Sequence, residues 1–105
     1  MADLQRVFAE IDFVPDQPKR FLQLSGGKRI DLDDEEYAVV QEANSEAARR
    51  AARLVRSASF RGMDPEEQEQ ELRRIYAAAR RVARYKLYQN PAFRRRAAKA
   101  QRGRA

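Results

Sequence analysis

The sequence predicts a mostly α-helical chain: an antiparallel helical hairpin, preceded by a short N-terminal helix and a small β-hairpin, and followed by a basic helical or disordered C-terminal tail. Three observations carry this prediction. Two acidic caps, Asp33 with Glu36 and Asp64 with Glu67, each open a long run whose apolar residues recur at three- and four-residue steps. The link between those runs is short, so the helices must turn back on each other. Ahead of them, two short extended runs flank a Gly-Gly pair, as at a hairpin turn.

The elements follow in order. Leu4, Val7, Phe8 and Ile11 fall at i, i+3, i+4 and i+7, one apolar face of a helix that Pro15 and Pro18 end. A helix this short is marginal alone. It must dock, either as a lid on this chain's own core or as an arm on a neighbouring protein. Phe21 to Leu24 and Arg29 to Leu32 flank Ser25-Gly26-Gly27-Lys28 and read as the β-hairpin. Two strands do not hold alone, so the hairpin should lean on the helices.

The first long helix is expected from about Asp34 to Ser57 or Ala58. Its seam is Tyr37, Val40, Ala47, Ala51, Leu54 and Ala58, with Asn44 in the same seam as a register-setting polar residue. Phe60 to Met63 is the expected turn, with Gly62 free to take positive φ. Asp64 then caps the second helix, Pro65 takes its first position, and Glu67 completes the box. Leu72, Ile75, Tyr76, Ala79, Val82, Ala83 and Leu87 form its apolar stripe. Asn90-Pro91 is a further stop, and Phe93 is the only large apolar anchor beyond it. Residues 1–90 therefore read as one small helical domain and residues 91–105 as a basic tail.

A chain of 105 residues holds one small domain at most. Much of its 43% hydrophobic content is alanine, and tryptophan is absent. A single core this thin supplies on the order of 3–5 kcal/mol, so help from oligomerisation or a larger partner is expected. With no cysteine and no histidine, disulfides, thiolate chemistry, zinc, haem and iron–sulfur sites are not expected. No apolar run approaches the roughly 18–20 residues of a membrane span. Met1-Ala2-Asp3-Leu4 lacks the basic and apolar regions of a signal peptide.

Charge is unevenly distributed along the chain. Residues 1–71 carry ten Lys or Arg against all sixteen acidic residues, a net −6; residues 72–105 carry twelve Lys or Arg and no carboxylate. Much of the acid is explained by the two caps, which suit the positive ends of helix dipoles. The basic excess has no such local cause. Arg73, Arg80 and Arg84, flanked by Arg74 and Arg81, are expected on the helix face opposite the Leu72–Val82 stripe. Arg94, Arg95, Arg96, Lys99, Arg102 and Arg104 follow in the tail. An Arg row leading into an unpaired basic tail is a pattern that binds phosphates, with Tyr85, Tyr88 and Phe93 available for stacking. It equally suits an acidic protein surface. Any nucleic-acid contact should be non-specific and salt-sensitive, because no base-reading motif is present.

Two other motifs resolve to structure. Leu24-Ser25-Gly26-Gly27-Lys28 is similar to the signature loop of ABC ATPases, but no Walker A motif accompanies it, and a hairpin turn explains it. Asp31, Asp33, Asp34, Glu35 and Glu36 lack the frame of a calcium loop and read as a helix start. No catalytic, cofactor-binding or metal-ligating residue is assigned, no cofactor is expected, and the chain is not expected to be an enzyme.

Residues 30–87 carry a resemblance. Ile30-Asp31-Leu32-Asp33-Asp34-Glu35-Glu36-Tyr37 opens a helix that reaches Leu54-Val55-Arg56-Ser57. Phe60 stands in the turn, Met63-Asp64-Pro65-Glu66-Glu67 follows, and then comes a helix rich in Ala and Arg. This is similar to a segment of large structural proteins of tailed bacteriophages and prophages. The resemblance implies a multi-copy virion or ejection-machinery component, in the portal–tail region or internal core, assembled in the host cytoplasm. Its implied partners are other virion proteins and itself, with Leu4, Val7, Phe8 and Ile11 docking on a neighbour and the basic tail facing DNA or an acidic lumen. The alternative is a small nucleic-acid-binding or regulatory helical protein.

Overall fold

Both acidic caps form, and each starts a long helix. The computed structural model describes residues 2–15 and 17–102. Asp33 Oδ1 accepts from the Glu36 N–H at 2.8 Å while Glu36 Oε1 accepts from the Asp33 N–H at 2.9 Å. This box opens helix α2, Asp34–Val55. Asp64 and Glu67 make the same reciprocal pair, at 2.9 and 3.2 Å, and open helix α4, Pro65–Tyr88. Before them come helix α1, Ala2–Glu10, and strands β1, Phe21–Gln23, and β2, Arg29–Asp31. Between α2 and α4 lies the one-turn helix α3, Ala58–Arg61, and after α4 comes helix α5, Pro91–Arg102.

Helices α2 and α4 pack antiparallel along their lengths and form the body. Small residues make this possible: Ala43, Ala47 and Ala51 recur every fourth residue on the buried face of α2 and let the helices approach closely. The buried row of α2 is thus 43–47–51–55, which contains Ala47 and Ala51 of the expected seam. Tyr37, Val40 and Leu54 flank it half-buried, and Ala58 is exposed. On α4, Leu72, Tyr76, Ala83 and Leu87 are buried, but Val82 is 47% exposed. It sits one residue, or 100°, outward from Ala83 and falls off the stripe.

The turn also departs from expectation. Helix α2 stops at Val55, and α3 is inserted before α4. The Ser57 hydroxyl accepts from the Phe60 N–H at 3.1 Å and donates to the Leu54 carbonyl at 2.8 Å, so one side chain ends one helix and caps the next. Phe60 is buried beneath this corner. Gly62 has φ −83°, an ordinary right-handed conformation, so positive φ is not its role.

Helix α1 ends before either proline. The Phe13 N–H bonds the Phe8 carbonyl at 2.8 Å and the Asp12 N–H bonds the Ala9 carbonyl at 3.2 Å, with Asp12 at φ 57°. This is a Schellman stop with aspartate in the left-handed position. The accompanying apolar contact is the edge-to-face pair Phe8–Phe13, centroids 5.2 Å apart.

The core divides into two clusters at opposite ends of the α2–α4 body. Phe8 and Phe13 cover one end, over Ala47, Ala51, Val55, Phe60, Leu72 and Tyr76. The β-hairpin and α5 cover the other, where Ile30, Leu32, Phe93 and Ala97 close over Leu87. Residues 91–102 of the basic stretch therefore form a helix, anchored by a Phe93 that has no exposed surface. The result is elongated, 49 × 24 × 18 Å, with a radius of gyration of 16.3 Å. A compact domain of this length has about 13 Å.

Candidate functional site

Antiparallel packing rearranges the charge of the chain. The acidic start of α2 lies beside the basic end of α4, and Arg49, Arg50, Arg53 and Arg56 lie towards the acidic start of α4. The acidic and basic parts of the sequence are thus interleaved in space. The surplus of cations gathers at the pole formed by the hairpin and α5.

Several of the sequence-predicted cations are spent inside the molecule. Arg73 donates to Glu69, one turn earlier, at 2.9 Å through Nε. Arg84 donates to the Gln23 carbonyl at 2.9 Å and ties α4 to β1. Arg94 donates to the Tyr88 carbonyl at 2.7 Å across the α4–α5 corner. Arg96 pairs with Glu36 Oε2 at 2.5 Å and donates to the Asp31 carbonyl at 2.7 Å. Glu36 is buried, so one carboxylate both closes the α2 cap and receives the guanidinium of α5. Arg80 also interacts within the chain.

Four predicted cations stay outside this network. Arg81, Arg95, Lys99 and Arg102 are exposed and make no hydrogen bond or ion pair with another described residue. Three of them share one face of α5. Positions 95, 99 and 102 are spaced i, i+4, i+7, which sets their Cα atoms over about 10 Å of helix. Phe93 and Ala97 hold the opposite face in the core, so the cations project from a fixed support. Arg104 lies outside the described residues.

The stacking set is smaller than expected. Phe93 is fully buried, and Tyr88 packs edge-on against it at 5.2 Å. Only Tyr85, 68% exposed, is open, one turn beyond Arg81 on α4. Leu4, Val7, Phe8 and Ile11, expected to dock on a neighbour, pack on the chain's own first cluster.

Comparisons with protein-family models, curated proteins and solved structures return no match. The site must be read from its own geometry.

A groove of about 610 Å³ opens at the waist of the body, where the two end covers do not meet. That volume is in the usual range for a binding cleft. Its floor is Val40, Ala43, Tyr76, Ala79 and Ala83. Burial pushes the Tyr76 hydroxyl pKa up from its ordinary value. Lys19, Arg29, Arg80 and Arg84 stand around the groove, and no carboxylate is among its described lining residues. Arg80 and Arg84 thus border the apolar stripe and do not lie opposite it. Tyr76, Arg80 and Arg84 are spaced i, i+4, i+8, which is one row of a helix. Asn44, expected in the helix seam, lines this groove, and its amide has no partner among the described residues.

Elsewhere some surface charges pair locally, while the exposed side chains of Arg50, Arg53 and Arg61 make no hydrogen bond or ion pair among the described residues. On α2, Arg49 bridges Glu46 at 2.7 Å and Glu42 at 3.5 Å. The hydrogen bond from Arg49 holds the Glu46 carboxyl below its ordinary pKa. Among the described residues no cluster of acidic side chains is arranged to hold a metal, and no helix is long and apolar enough to cross a membrane. The groove and the Arg96–Glu36 pair escape sequence reading because their members are distant in the chain. Glu36 and Arg96 are 60 residues apart.

Proposed function

We propose that the chain is a helical structural module of a tailed-phage virion or ejection assembly, present in several copies and contacting DNA non-specifically through α5. The observation that carries the DNA contact is the stripe of Arg95, Lys99 and Arg102. These cations are uncompensated among the described residues and sit on a helix whose other face is locked into the core. A rigid row of cations favours no particular sequence and binds any phosphate backbone by releasing its counterions. Arg81 and Tyr85 add a cation and an open ring on α4. The resemblance of residues 30–87 to phage structural proteins supplies the setting. The thin two-part core supports assembly with other copies or with virion proteins, because it leaves little stability in reserve.

The native mass in solution, measured by light scattering with and without nuclease, tests this reading. A particle several times the 12.2 kDa chain that survives nuclease, and sheds only its nucleic acid, supports it. A monomer under both conditions overturns the assembly role. The same stripe favours the second reading, a small stand-alone nucleic-acid-binding protein, and a monomer that still binds DNA selects it.

A further inference from the structure

The waist groove has a feature that charge and volume alone do not convey: one wall is an open strand edge. Leu32 donates its N–H to the Arg20 carbonyl at 2.8 Å, and Leu24 donates to the Lys28 carbonyl at 2.7 Å. Between them Leu22 faces Ile30. Residues 20, 22 and 24 therefore spend their backbone groups on the β2 side. In an antiparallel ladder the alternate residues point the other way. The N–H and C=O groups of Phe21 and Gln23 thus point away from β2, on the side where β1 walls the groove. Arg84 of α4, another lining residue, reaches the Gln23 carbonyl, which fixes the direction of that edge. The Phe21 groups and the Gln23 N–H have no partner among the described residues.

The two hairpin edges differ in this respect. The edge of β2 lies against α5, where Arg96 holds the Asp31 carbonyl. The edge of β1 has Arg84 on one carbonyl and is otherwise unpaired among the described residues. An unpaired edge is a template for a further strand.

We infer that the waist groove binds an extended acidic peptide segment of a partner protein, which adds as a strand to β1. Main-chain hydrogen bonds to Phe21 and Gln23 hold the peptide in register. Alternate side chains of such a strand point to opposite faces, so one set enters the apolar floor over Ala79 and Ala83 while the other faces outward. Charge complementarity selects the acidic partner. Lys19 has no partner among the described residues, and Arg84 is bonded only to a neutral carbonyl, so neither charge is paired with a carboxylate among the described residues. The half-buried Asn44 amide is a spare polar handle within the groove. This site is distinct from the α5 stripe and does not rest on DNA contact.

The test is fluorescence anisotropy of a labelled alternating glutamate–valine heptapeptide against the full chain. Binding is expected, and the matching lysine–valine peptide should not bind. Lys19→Glu together with Arg29→Glu should weaken binding about tenfold or more, since like charges replace attraction at the rim. N-methylation of the peptide backbone at the residues that pair with β1 should abolish binding. That arm needs no change to the protein and so cannot be confused with misfolding. Arg95→Ala with Lys99→Ala should leave peptide binding unchanged, which separates this site from the DNA stripe. Equal binding of the lysine peptide, indifference to N-methylation, or displacement by a single-stranded oligonucleotide would each overturn the inference. Occupancy of the groove by a second copy of this chain would overturn it as well, and would show as self-association lost in Lys19→Glu.

Discussion

Replacing Arg96 with alanine should unfasten α5 from the rest of the fold. The guanidinium meets Glu36, whose side chain is 9% exposed, while its own side chain is 45% exposed. Removing one partner of a fully buried pair costs about 3–5 kcal/mol, because the other charge is left desolvated. A fully exposed pair contributes about 0–1 kcal/mol. This pair lies between those limits, with the water around Arg96 screening part of the attraction, so a cost of about 1–2 kcal/mol is expected. For a domain of this size each 1 kcal/mol moves the melting temperature by about 4–8 °C, which predicts a fall of roughly 5–15 °C. Thermal melting followed by far-UV circular dichroism reads this directly. Arg95→Ala is the control: same residue type, same helix, no partner among the described residues, and an expected change within about 0.5 kcal/mol. Glu36→Gln keeps the capping hydrogen bond and removes only the charge, so the double variant isolates the pair. Equal melting temperatures for Arg96→Ala and Arg95→Ala would show that Arg96 has no structural role.

Other positions give sharp expectations. Gly62→Ala should stabilise by about 0.4–1 kcal/mol, since its φ is ordinary and an added Cβ meets only carbonyls at 3.6 and 3.7 Å. Gly26→Ala should destabilise by about 1–2 kcal/mol, because its φ is +70°; urea midpoints that move in the same direction for both would contradict this. Asp12→Gly should raise the melting temperature by a few degrees, about 0.5 kcal/mol, by relieving a left-handed aspartate. Stability should fall as pH rises past about 10, because the unfolded chain ionises Tyr76 there while the buried hydroxyl holds its proton to higher pH. Urea midpoints at pH 8 and pH 11 should converge in Tyr76→Phe, and an identical decline in both proteins would remove Tyr76 as the cause.

What was legible in the sequence was what depends on neighbours in the chain. Asp33 with Glu36 and Asp64 with Glu67 are three residues apart, so their caps are local chemistry and form as read. Local signals also misled where a competing local bond was stronger. The prolines after α1 mattered less than the Schellman bonds at Asp12, and the Ser57 hydroxyl ended α2 before the expected Phe60 turn. Periodicity placed Val82 on the buried stripe because valine is apolar, but the α2–α4 contact runs through the 72–76–83–87 row and leaves it outside. The basic region shows the limit most clearly. Its arginines look alike in sequence, yet Arg96 is half of an internal pair and Arg95 is not. Only the approach of α5 to the α2 cap separates them, and that approach is set by the burial of Phe93 between elements distant in the chain. The groove is of the same kind: Lys19, Asn44, Gln23 and Arg84 come from four separate elements or connections.

The salt dependence of DNA binding tests the division between structural and outward cations most directly. Each phosphate contact contributes about −0.9 to the slope of log K against log salt on duplex DNA. Replacing Arg95, Lys99 and Arg102 with alanine should flatten that slope by up to about 2.7 while leaving the melting temperature within a few degrees of the parent. An unchanged slope, with the fold intact, would show that the exposed stripe of α5 does not carry the contact.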